Sequence, residues 1–464
     1  MVSKLRTNAA SSIISKDNAS DRPASSDVGI ALICEPWLNI ISCLLLETIS
    51  GNSQFIDNLK VLEEVGRLNR FVIDESHCIS LWGNDFRSCY RKLGDIKSIF
   101  PNIPIMALTA TATHRVRKDT LHLLQISNAK IYTKSYFRPN LQITVKPRVK
   151  SESFKEMVDI ITEKYCDKSG IIYCLSRKSC EEMAENLQQC GIDCEAYHAG
   201  QSAKKRADVQ NKWQTNEIPL IIATIAFGMG INKPDVRYVI HFNLPFSIEN
   251  YYQEIGRAGR DGQHSECILY YSNQDHVCAK KLILSSGTKH VSGSQIATKY
   301  KQHQLNKLDT MIAFCQNIKD CRHCQISNYL GELRSYAHEK CNESCCNCSN
   351  KDLIEHDVSD FAVCIIESIM NLREKPTKTA IETSILSHQS YKRLVNKYAG
   401  GIDATQKIRN GLSIARRLFM HLLVHKYIKE SFIRTQSGFW RENYELFSKS
   451  KNVLLKKTKV FMYM

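Results

Sequence analysis

The sequence predicts an α/β protein of two lobes, followed by a cysteine-rich helical region and a C-terminal domain of helices with one β-hairpin. Three observations lead to this fold class. Short apolar runs alternate with amphipathic helices between residues 168 and 245, which is typical of a parallel sheet. Another apolar run, 71–73, ends in two acidic residues, and six cysteines crowd into 321–348 ahead of the last helices. With 464 residues the chain has the length of about three domains.

The charge balance favours a polyanionic partner. Lys and Arg number 63 against 47 Asp and Glu, a net charge of +16, while 43% of the residues are hydrophobic as in ordinary globular proteins. Residues 401–464 hold 13 of the basic residues and 4 of the acidic ones, a net +9. Such a basic C-terminal region fits nucleic acid, although a solvated surface is the alternative.

The N-terminal region does not resemble a secretory or membrane segment. Residues 1–27 are rich in Ser, Asn, Asp and Ala, which predicts disorder. The apolar stretch 30–46 is interrupted by Glu35, Pro36 and Asn39, so a core strand and helix are predicted rather than a membrane span. Without a secretory signal, the 19 cysteines are predicted to be reduced thiols, some of them holding metal.

The first lobe is predicted from two strands that end in polar residues. Residues 71–73 form a buried strand ending at Asp74 and Glu75, where α/β enzymes place groups that hold metal or activate water. A second strand, 105–108, runs into the sequence TAT at 109–111, and Thr113 can cap the helix that follows. Taken alone, the TAT sequence indicates no more than a turn.

The second lobe is predicted from buried runs such as GIIYCLS and PLIIAT, separated by helices of a parallel sheet covered on both faces. Gly228 and Gly230 follow one strand and permit close approach to a ligand. Arg257 and Arg260 are three residues apart, on one side of a predicted helix, and guanidinium groups suit phosphoryl transfer. A basic surface helix is the alternative, and 135–153 is predicted to be a hinge between the lobes.

The cysteine-rich segment predicts a closed four-thiolate zinc site. Its C-terminal part offers two pairings, Cys345 with Cys348 or Cys346 with Cys348, and the C-x-x-C spacing favours the first. Buried thiols without metal are the alternative reading.

The last region predicts helices followed by a hairpin, an arrangement typical of a winged helix. In the helix near 409–428, Leu412, Ala415, Leu418, Phe419, Leu422 and Leu423 form the apolar side, with Arg416 and Arg417 outward. The hairpin turns around Ser437 and Gly438. Phe439 and Trp440 either stack on the end of a DNA duplex or pack onto their own core. The basic end of the chain is a weak nuclear address or solvated charge.

Several motifs together resemble the RecQ family of superfamily 2 DNA helicases, in particular the branch that includes the Bloom syndrome protein. They are IDESHC, ALTATA, FRPNL, YCLSRKSCE, YHAG, ATIAFGMGINKPDVR and YYQEIGRAGRDG, and the similarity runs from about residue 28 to the end. The resemblance implies two RecA-like lobes, the first incomplete, then a zinc-binding helical subdomain and a winged-helix domain. The expected divisions are a disordered N-terminus at 1–27, the partial first lobe at 28–134, the linker at 135–153, the second lobe at 154–283, the zinc-binding subdomain at 284–354, the winged helix at 355–448 and a basic tail at 449–464.

The resemblance also implies roles for individual residues. Asp74 would hold Mg²⁺ through water, Glu75 would orient the attacking water, and His77 would couple nucleotide to DNA. Arg260 would reach the nucleotide across the lobes, assisted by Gln253 and Arg257. The nucleotide-binding set implied is Asp74, Glu75, Gly230, Arg257 and Arg260. The DNA-binding set implied is Trp82, Phe86, Arg87, Ser176, Arg177, His198, Thr224, Arg416, Arg417 and Trp440. The family pattern places zinc on Cys321, Cys341, Cys345 and Cys348, which would leave Cys324 and Cys346 free.

The sequence departs from the family pattern in three places. Ser76 replaces the usual Ala, and Leu81 and Asn84 replace Gln and His in the aromatic-rich loop. None of the 20 glycines is followed by lysine, so the phosphate-cradling pattern G-x-x-x-x-G-K-[ST] is absent. Because that loop positions and neutralises the phosphates, we expect the chain as written to bind ATP poorly and not to unwind DNA.

Three functions compete at this level. The first is an ATP-dependent 3′-to-5′ DNA helicase of repair, recombination and replication, nuclear, without a membrane partner, using ATP, Mg²⁺ and Zn²⁺ on single-stranded and forked or branched DNA. The second is a catalytically inactive DNA-binding protein that uses the zinc and winged-helix region. The third, a DEAH RNA helicase, shares the acidic and arginine motifs but not the cysteine cluster. Repair or topoisomerase partners and the oligomeric state are not indicated.

A salt series tests the predicted polyanion binding. Because Lys and Arg contacts release counterions, we expect the affinity of residues 1–464 for forked DNA to fall steeply between 50 and 200 mM salt, by roughly a thousandfold for about six phosphate contacts. Fluorescence anisotropy with and without ATP measures this. The missing phosphate loop predicts the same curve in both conditions, and a shallow salt slope would contradict the basic interface.

Overall fold

The computed structural model describes residues 29–33, 42–45, 53–80, 88–228, 231–285, 294–332, 341–350, 352–372, 376–388, 391, 404–436 and 439–463. The prediction of disorder for 1–27 lies outside these residues. No helix of the described part combines the length and apolar character needed to cross a membrane.

The first sheet contains four strands in the order β2-β1-β3-β4. They are β1 (Gly29–Ile33), β2 (Ser42–Leu45), β3 (Arg70–Ile73) and β4 (Ile105–Ala107). Strand β1 is antiparallel to both β2 and β3, whereas β3 and β4 are parallel. The strand expected in 30–46 is present as β1, but Ser42–Leu45, where the expected helix would lie, form a second strand. An interrupted apolar run fits a hairpin as well as a helix when periodicity is the only guide.

The helices of this lobe pack around β3. They are α1 (Ser53–Glu64), α2 (Ser88–Arg91), α3 (Gly94–Ile99) and α4 (His114–Leu123). Phe71 of β3 lies against Phe100, with ring centroids 5.4 Å apart, and both are buried. The predicted cap of α4 forms, since the Thr113 side chain accepts a hydrogen bond from Val116 N–H. The cap fixes where the chain leaves the TAT loop.

The second sheet has six strands, all parallel, in the order β5-β10-β9-β6-β8-β7. They are β5 (Leu141–Pro147), β6 (Gly170–Tyr173), β7 (Cys194–Tyr197), β8 (Leu220–Ala223), β9 (Tyr238–His241) and β10 (Ser265–Tyr271). The helices between them are α5 (Lys150–Asp159), α6 (Arg177–Gln189), α7 (Ala203–Gln214) and α8 (Ile248–Ile255). Every residue of β6, β8 and β9 is buried, which confirms the predicted parallel sheet covered on both faces.

The segment 135–153 is mostly part of the second lobe rather than a hinge. Strand β5 pairs with β10 along its whole length, and α5 begins at Lys150. Pro and charged residues suggested a linker, but pairing with a strand more than 100 residues away is invisible in local composition. The chain is irregular from residue 124 to residue 140, between α4 and β5, so only the first six residues of the predicted hinge belong to an irregular connection.

Helices and two small antiparallel sheets form the rest of the described chain. The helices are α9 (Asn273–Ser285), α10 (Ser294–Gln316), α11 (Arg322–Tyr329), α12 (Cys346–Ser349), α13 (Ser359–Met370), α14 (Lys378–Ser387), α15 (Ala404–Val424) and α16 (Ser450–Leu454). The strands are β11 (Glu355–Asp357), β12 (Ile428–Arg434), β13 (Trp440–Leu446) and β14 (Phe461–Tyr463). Strands β12 and β13 form the predicted hairpin after α15.

The predicted basic tail, 449–464, is folded as far as residue 463. It contributes α16 and then β14, which pairs with β11, and its Val453, Val460 and Met462 are buried. The run of lysines hid apolar positions spaced widely enough to pack between them. The segment is part of the C-terminal domain.

A buried ionic network fastens the β12–β13 hairpin to α9. Glu430 of β12 accepts hydrogen bonds from Lys280 Nζ at 2.7 Å and from Tyr444 Oη at 2.8 Å, and it lies 3.2 Å from His276 Nε2. Lys280 also meets Asp309 of α10 at 2.7 Å. Burial raises the pKa of Glu430, but His276 and Lys280 outweigh it and lower the pKa to about 2. The charged form is thus stabilised by its partners.

Substitution of Glu430 by Gln tests this network. Removing one charge of a buried pair leaves Lys280 and His276 short of their anion, so we expect the hairpin to lose roughly 3 kcal/mol of unfolding free energy. Hydrogen exchange of β12 and β13 across a urea series measures it. The pKa of Glu430 is lowered on folding, so the difference from wild type should be full above pH 4.5 and fade towards pH 2.

Glu445→Gln is the matched control on the same hairpin. Its carboxylate lies 3.9 Å from Lys429 at the surface, where an ion pair contributes about 0–1 kcal/mol. Equal losses in the two variants would show that the network does not hold the hairpin.

Candidate functional site

The acidic pair lies at the end of β3, as predicted. Glu75 has a left-handed backbone, with φ 47°, and its N–H donates to Asp74 Oδ1 at 2.8 Å. Ser76–Ile79 then form a buried 3₁₀ turn. This sharp reversal leaves the Asp74 side chain exposed and Glu75 half-buried. A residue other than glycine in this conformation is strained, which is common where a side chain must be held at a functional site.

His77 connects the acidic pair to the TAT loop. Its buried ring places Nδ1 3.0 Å from Thr109 Oγ1 and 3.3 Å from Glu75 Oε2. Thr109 Oγ1 also accepts the N–H of Thr111 at 3.2 Å. The loops after β3 and β4 meet because these strands are parallel neighbours and their carboxyl ends share an edge.

Gln253 joins this edge to the second lobe. Its Nε2 donates to Thr111 Oγ1 at 3.1 Å, although the residues are 142 positions apart. Helix α8 aims it there, since Ser247 caps the helix with its side chain and fixes the first turn. A path of polar contacts therefore runs from Glu75 through His77, Thr109 and Thr111 to Gln253.

The two arginines lie just beyond α8 rather than on one face of a helix, because α8 ends at Ile255. The expectation that both face one side of a helix is therefore wrong. Arg260 donates to the Ile231 carbonyl at 2.7 Å and is exposed. Burial, then the nearby Arg257 and Arg138, lower the pKa of Arg260. A Cβ on Gly228 would lie 3.2 Å from Arg257 Nη2, so glycine leaves room for that guanidinium. The arrangement concentrates positive charge on the second lobe.

The carboxyl ends of β6, β7 and β8 carry four of the predicted DNA-binding residues. Ser176 caps α6 in a capping box, and Arg177 is exposed. A Cβ on Gly200 would lie 3.0 Å from Arg177 Cδ and 3.2 Å from His198 Nδ1, so these two side chains share one spot. His198 is buried and contacts Glu181 Oε1 at 3.0 Å. Thr224 is buried and accepts from Ala226 N–H at 3.4 Å.

Three predicted DNA-binding residues of the C-terminal region contact other protein groups. Arg416 makes a bidentate pair with Glu382 at 3.0 and 2.9 Å, and Arg417 donates to the Tyr463 carbonyl at 3.0 Å. Trp440 Nε1 donates to Ser285 Oγ at 2.8 Å. Phe439, at the hairpin tip, is 74% exposed. Helix periodicity showed which side chains face outward but not which partners meet them there.

Four predicted site residues lie outside the described residues. They are Trp82, Phe86 and Arg87 of the aromatic-rich loop, and Gly230. The replacements Leu81 and Asn84 lie in the same stretch.

Four cysteine sulfurs come together as the zinc prediction requires. Those of Cys321, Cys341, Cys345 and Cys348 all lie within 4.8 Å of one another. Cys321 and Cys345 are 3.9 Å apart, and a tetrahedral zinc with bonds of ~2.3 Å needs sulfurs ~3.8 Å apart. The Cys321 thiol lowers the pKa of Cys345 to about 4, whereas burial raises that of Cys348 to about 12. The donor set fits a closed zinc site.

Cys346 is directed away from this cluster. Its sulfur accepts the N–H of Val145 at 3.5 Å and lies 3.4 Å from Asn347 Oδ1. Next to it, Ser344 accepts the N–H of Ile143 at 3.0 Å, so the cysteine segment covers the free edge of β5. Geometry thus favours Cys345 over Cys346.

Sequence reasoning missed the residues that hold the arginine turn in place. Arg138 Nη2 donates to the carbonyls of Ala258 and Gly259 at 3.1 and 2.8 Å, and Asn140 Nδ2 donates to Gly259 at 2.9 Å. The signal was the FRPNL motif, which places an arginine and an amide beside a rigid proline. Thr111 was passed over as part of a turn.

Two protein-family models and several known proteins match these regions of the chain. The model of the helicase conserved C-terminal domain matches residues 152–262, and the RecQ zinc-binding model matches 273–349. The ATP-dependent helicase SGS1 of Saccharomyces cerevisiae is 36% identical over 426 residues, 90% of this chain and 28% of SGS1. The RecQ-like DNA helicase BLM of Xenopus laevis is 38% identical over 405 residues, 84% of this chain and 29% of BLM.

Among solved structures, S. cerevisiae Dbp5 bound to RNA and ADP BeF3 matches with a TM-score of 0.39 and 16% identity, over 53% of this chain and 68% of that one. The chain spans less than a third of the length of SGS1 and of BLM. The parallel sheet, the cysteine cluster and the two relatives agree, and the chain belongs to the RecQ family of helicases, close to SGS1 and BLM.

Proposed function

We propose that this chain is the motor and DNA-binding part of an ATP-dependent 3′-to-5′ DNA helicase of the RecQ type. The observation that supports it most is the contact of Gln253 with Thr111, because it brings the acidic edge of one lobe to helix α8 of the other, which the turn with Arg257 and Arg260 follows. The names of SGS1 and BLM support the same activity. Roles in DNA repair, recombination and replication, and a place in the nucleus, belong to this proposal.

Each residue of the cleft then has a task. ATP with Mg²⁺, when bound, supplies the phosphoryl group that is transferred to water. Asp74, exposed at the end of β3, would hold the metal, and Glu75 would orient the water. Arg260 and Arg257 would face the phosphates from the second lobe. His77 lies within hydrogen-bond reach of both Glu75 and Thr109. It would therefore transmit nucleotide-dependent movement of Glu75 towards Gln253.

DNA would lie along the carboxyl ends of the second sheet and reach the hairpin. Arg177 is exposed at this edge and could contact DNA directly. His198 and Thr224 are buried under the same edge and would support its conformation. Phe439 offers a free aromatic face for stacking on a base or base pair. Zinc would be held by Cys321, Cys341, Cys345 and Cys348, and its role is to fold the segment that packs on β5.

Loss of the Gln253 contact should uncouple the lobes. Because the 464 residues contain no phosphate loop, the test uses the chain preceded by the phosphate-loop segment of a RecQ relative, and the chain alone for comparison. We expect unwinding of 3′-tailed but not 5′-tailed duplex only with the added segment. In that protein, Gln253→Ala should lower DNA-stimulated ATP hydrolysis about tenfold, as for a lost positioned hydrogen bond of ~1.4 kcal/mol.

Gln263→Ala, at an exposed position just after the arginine turn, is the control and should retain full activity. DNA affinity should be equal in the extended wild-type protein, in Gln253→Ala and in Gln263→Ala. If the extended wild-type protein binds ATP and forked DNA but shows no DNA-stimulated hydrolysis, the proposal fails, and a DNA-binding protein without catalysis is favoured.

Serine substitution distinguishes the metal ligands from their neighbours. We expect Cys345→Ser to remove more than half of the bound zinc, because a closed thiolate site loses one of its four donors. Cys346→Ser should retain one zinc per chain, since its sulfur is directed towards Val145 and Asn347. Metal analysis of purified protein measures both, and zinc loss in Cys346→Ser alone would reverse the assignment.

A further inference from the structure

The irregular connection between the two lobes is hydrogen-bonded to a carboxylate of the zinc-binding region. Both oxygens of Glu332 are used, since Ser135 Oγ donates to Oε1 at 2.7 Å and Tyr136 N–H donates to Oε2 at 3.0 Å. Ser135 and Tyr136 belong to the short stretch that remains irregular between α4 and β5. A carboxylate that accepts two hydrogen bonds from adjacent residues restrains their backbone strongly.

Tyr136 is held from the opposite direction by α8. The Tyr252 hydroxyl donates to the Tyr136 carbonyl at 3.1 Å, and the two rings meet edge to face with centroids 5.7 Å apart. Tyr252 immediately precedes Gln253, the residue that touches Thr111 of the first lobe. The connection is therefore fixed to the same helix that carries the contact between the lobes.

The position of Glu332 follows from the cysteine cluster. Helix α11 begins directly after Cys321 and ends in a turn where Gly331 has φ +89° and Glu332 N–H donates to the Ser327 carbonyl at 2.9 Å. This helix end fixes the Glu332 backbone. A Cβ on Gly331 would lie 3.8 Å from His114 N and from Arg117 Nη2, so α4 of the first lobe abuts the same turn. Three parts of the chain meet at Glu332.

We propose that Glu332 is a positioning residue that anchors the lobe connection to the zinc-binding subdomain and thereby limits how the lobes move relative to one another. Its hydrogen-bond partners are the hydroxyl group of Ser135 and the backbone N–H of Tyr136. Zinc binding by the cysteines would fix the position of α11, and α11 would fix the position of Glu332. Glu332 would in turn restrain the backbone of the connection. The inference rests on the proposed motor function for its purpose, because lobe movement is how such a motor works, but the clamp itself is tested without ATP or DNA.

Backbone exchange at the connection is the direct readout. In Glu332→Ala we expect hydrogen exchange in the peptide around Tyr136 to be about tenfold faster, because a hydrogen bond to a charged acceptor is lost. Trypsin should cut faster after Lys134, while the Arg138–Pro139 bond resists the enzyme in every variant. Glu332→Gln keeps one acceptor and should give a smaller effect. Asp352→Asn removes an exposed carboxylate after the cysteine segment and should change nothing.

Zinc content separates a clamp from a merely structural role. We expect Glu332→Ala to keep its zinc and the exchange protection of α11, so that only the connection loosens. Ser135→Ala should loosen it partly. Its effect should be smaller in Glu332→Ala than in wild type, because only the hydrogen bond from Phe137 N–H to Ser135 Oγ, at 3.2 Å, is left to lose. Loss of zinc or of α11 protection in Glu332→Ala, or unchanged exchange at Tyr136, would overturn the proposal.

The distance between the lobes reports the consequence. Fluorophores on non-canonical amino acids at the exposed positions Asp57 and Glu185 avoid the 19 cysteines. We expect the single-molecule distance distribution to broaden in Glu332→Ala, and a chelator to broaden wild type but not Glu332→Ala. Equal distributions in wild type and variant would show that the clamp does not govern the lobes. ATP hydrolysis is not needed, so failure of the motor proposal would leave these results interpretable.

Discussion

The hydrogen bond from Gln253 to Thr111 is the contact on which the proposed nucleotide cleft depends. Among the residues that the structure describes, no strand of one sheet pairs with a strand of the other, and a polar side-chain contact joins their edges. Parallel strands place their loops at one edge of each sheet, which makes such a meeting possible. On one side His77 ties Glu75 to the threonines, and on the other the turn after α8 carries Arg260. Small changes in the angle between lobes would therefore change the distance between acid and guanidinium.

The zinc-binding region packs against two elements of the second lobe, β5 and α8. The residues around Cys345 cover the edge of β5, which would otherwise expose unpaired backbone groups. Helix α10 adds a buried ion pair, Lys307 with Glu249 at 2.9 Å, at the start of α8. Because α8 carries Gln253, the metal site and the lobe contact are linked through a few rigid elements. The buried side chains of this region belong to the same hydrophobic core as those of the second lobe, so its folding is coupled to this docking.

Local patterns predicted the elements of this fold better than their partners. The fully apolar runs at β6, β8 and β9 gave the parallel sheet, and Asp74 and Glu75 were correctly placed at a strand end, because burial on both faces and strand termini leave local signatures. The segment 135–153 was misread because its partner strand is far along the chain. The partner of Arg416 was likewise invisible in the local pattern, since Glu382 is 34 residues away, and the DNA contact of Arg416 stays a prediction. Its pairing depends on how α14 packs against α15.

A motor of this kind needs one joint, with rigid bodies on either side. The Glu430 network fastens the hairpin to α9, which follows β10 almost directly, so Phe439 keeps a fixed position relative to the second sheet. Under the proposed motor function, rotation between the lobes would be taken up by the irregular residues near Tyr136 and by exchange of contacts at Gln253. Tyr136 is hydrogen-bonded to both the zinc-binding region and α8, which restrains this connection. Nucleotide-driven movement would therefore work against that restraint, so that a change at the cleft would displace the proposed DNA-facing edge in a defined direction.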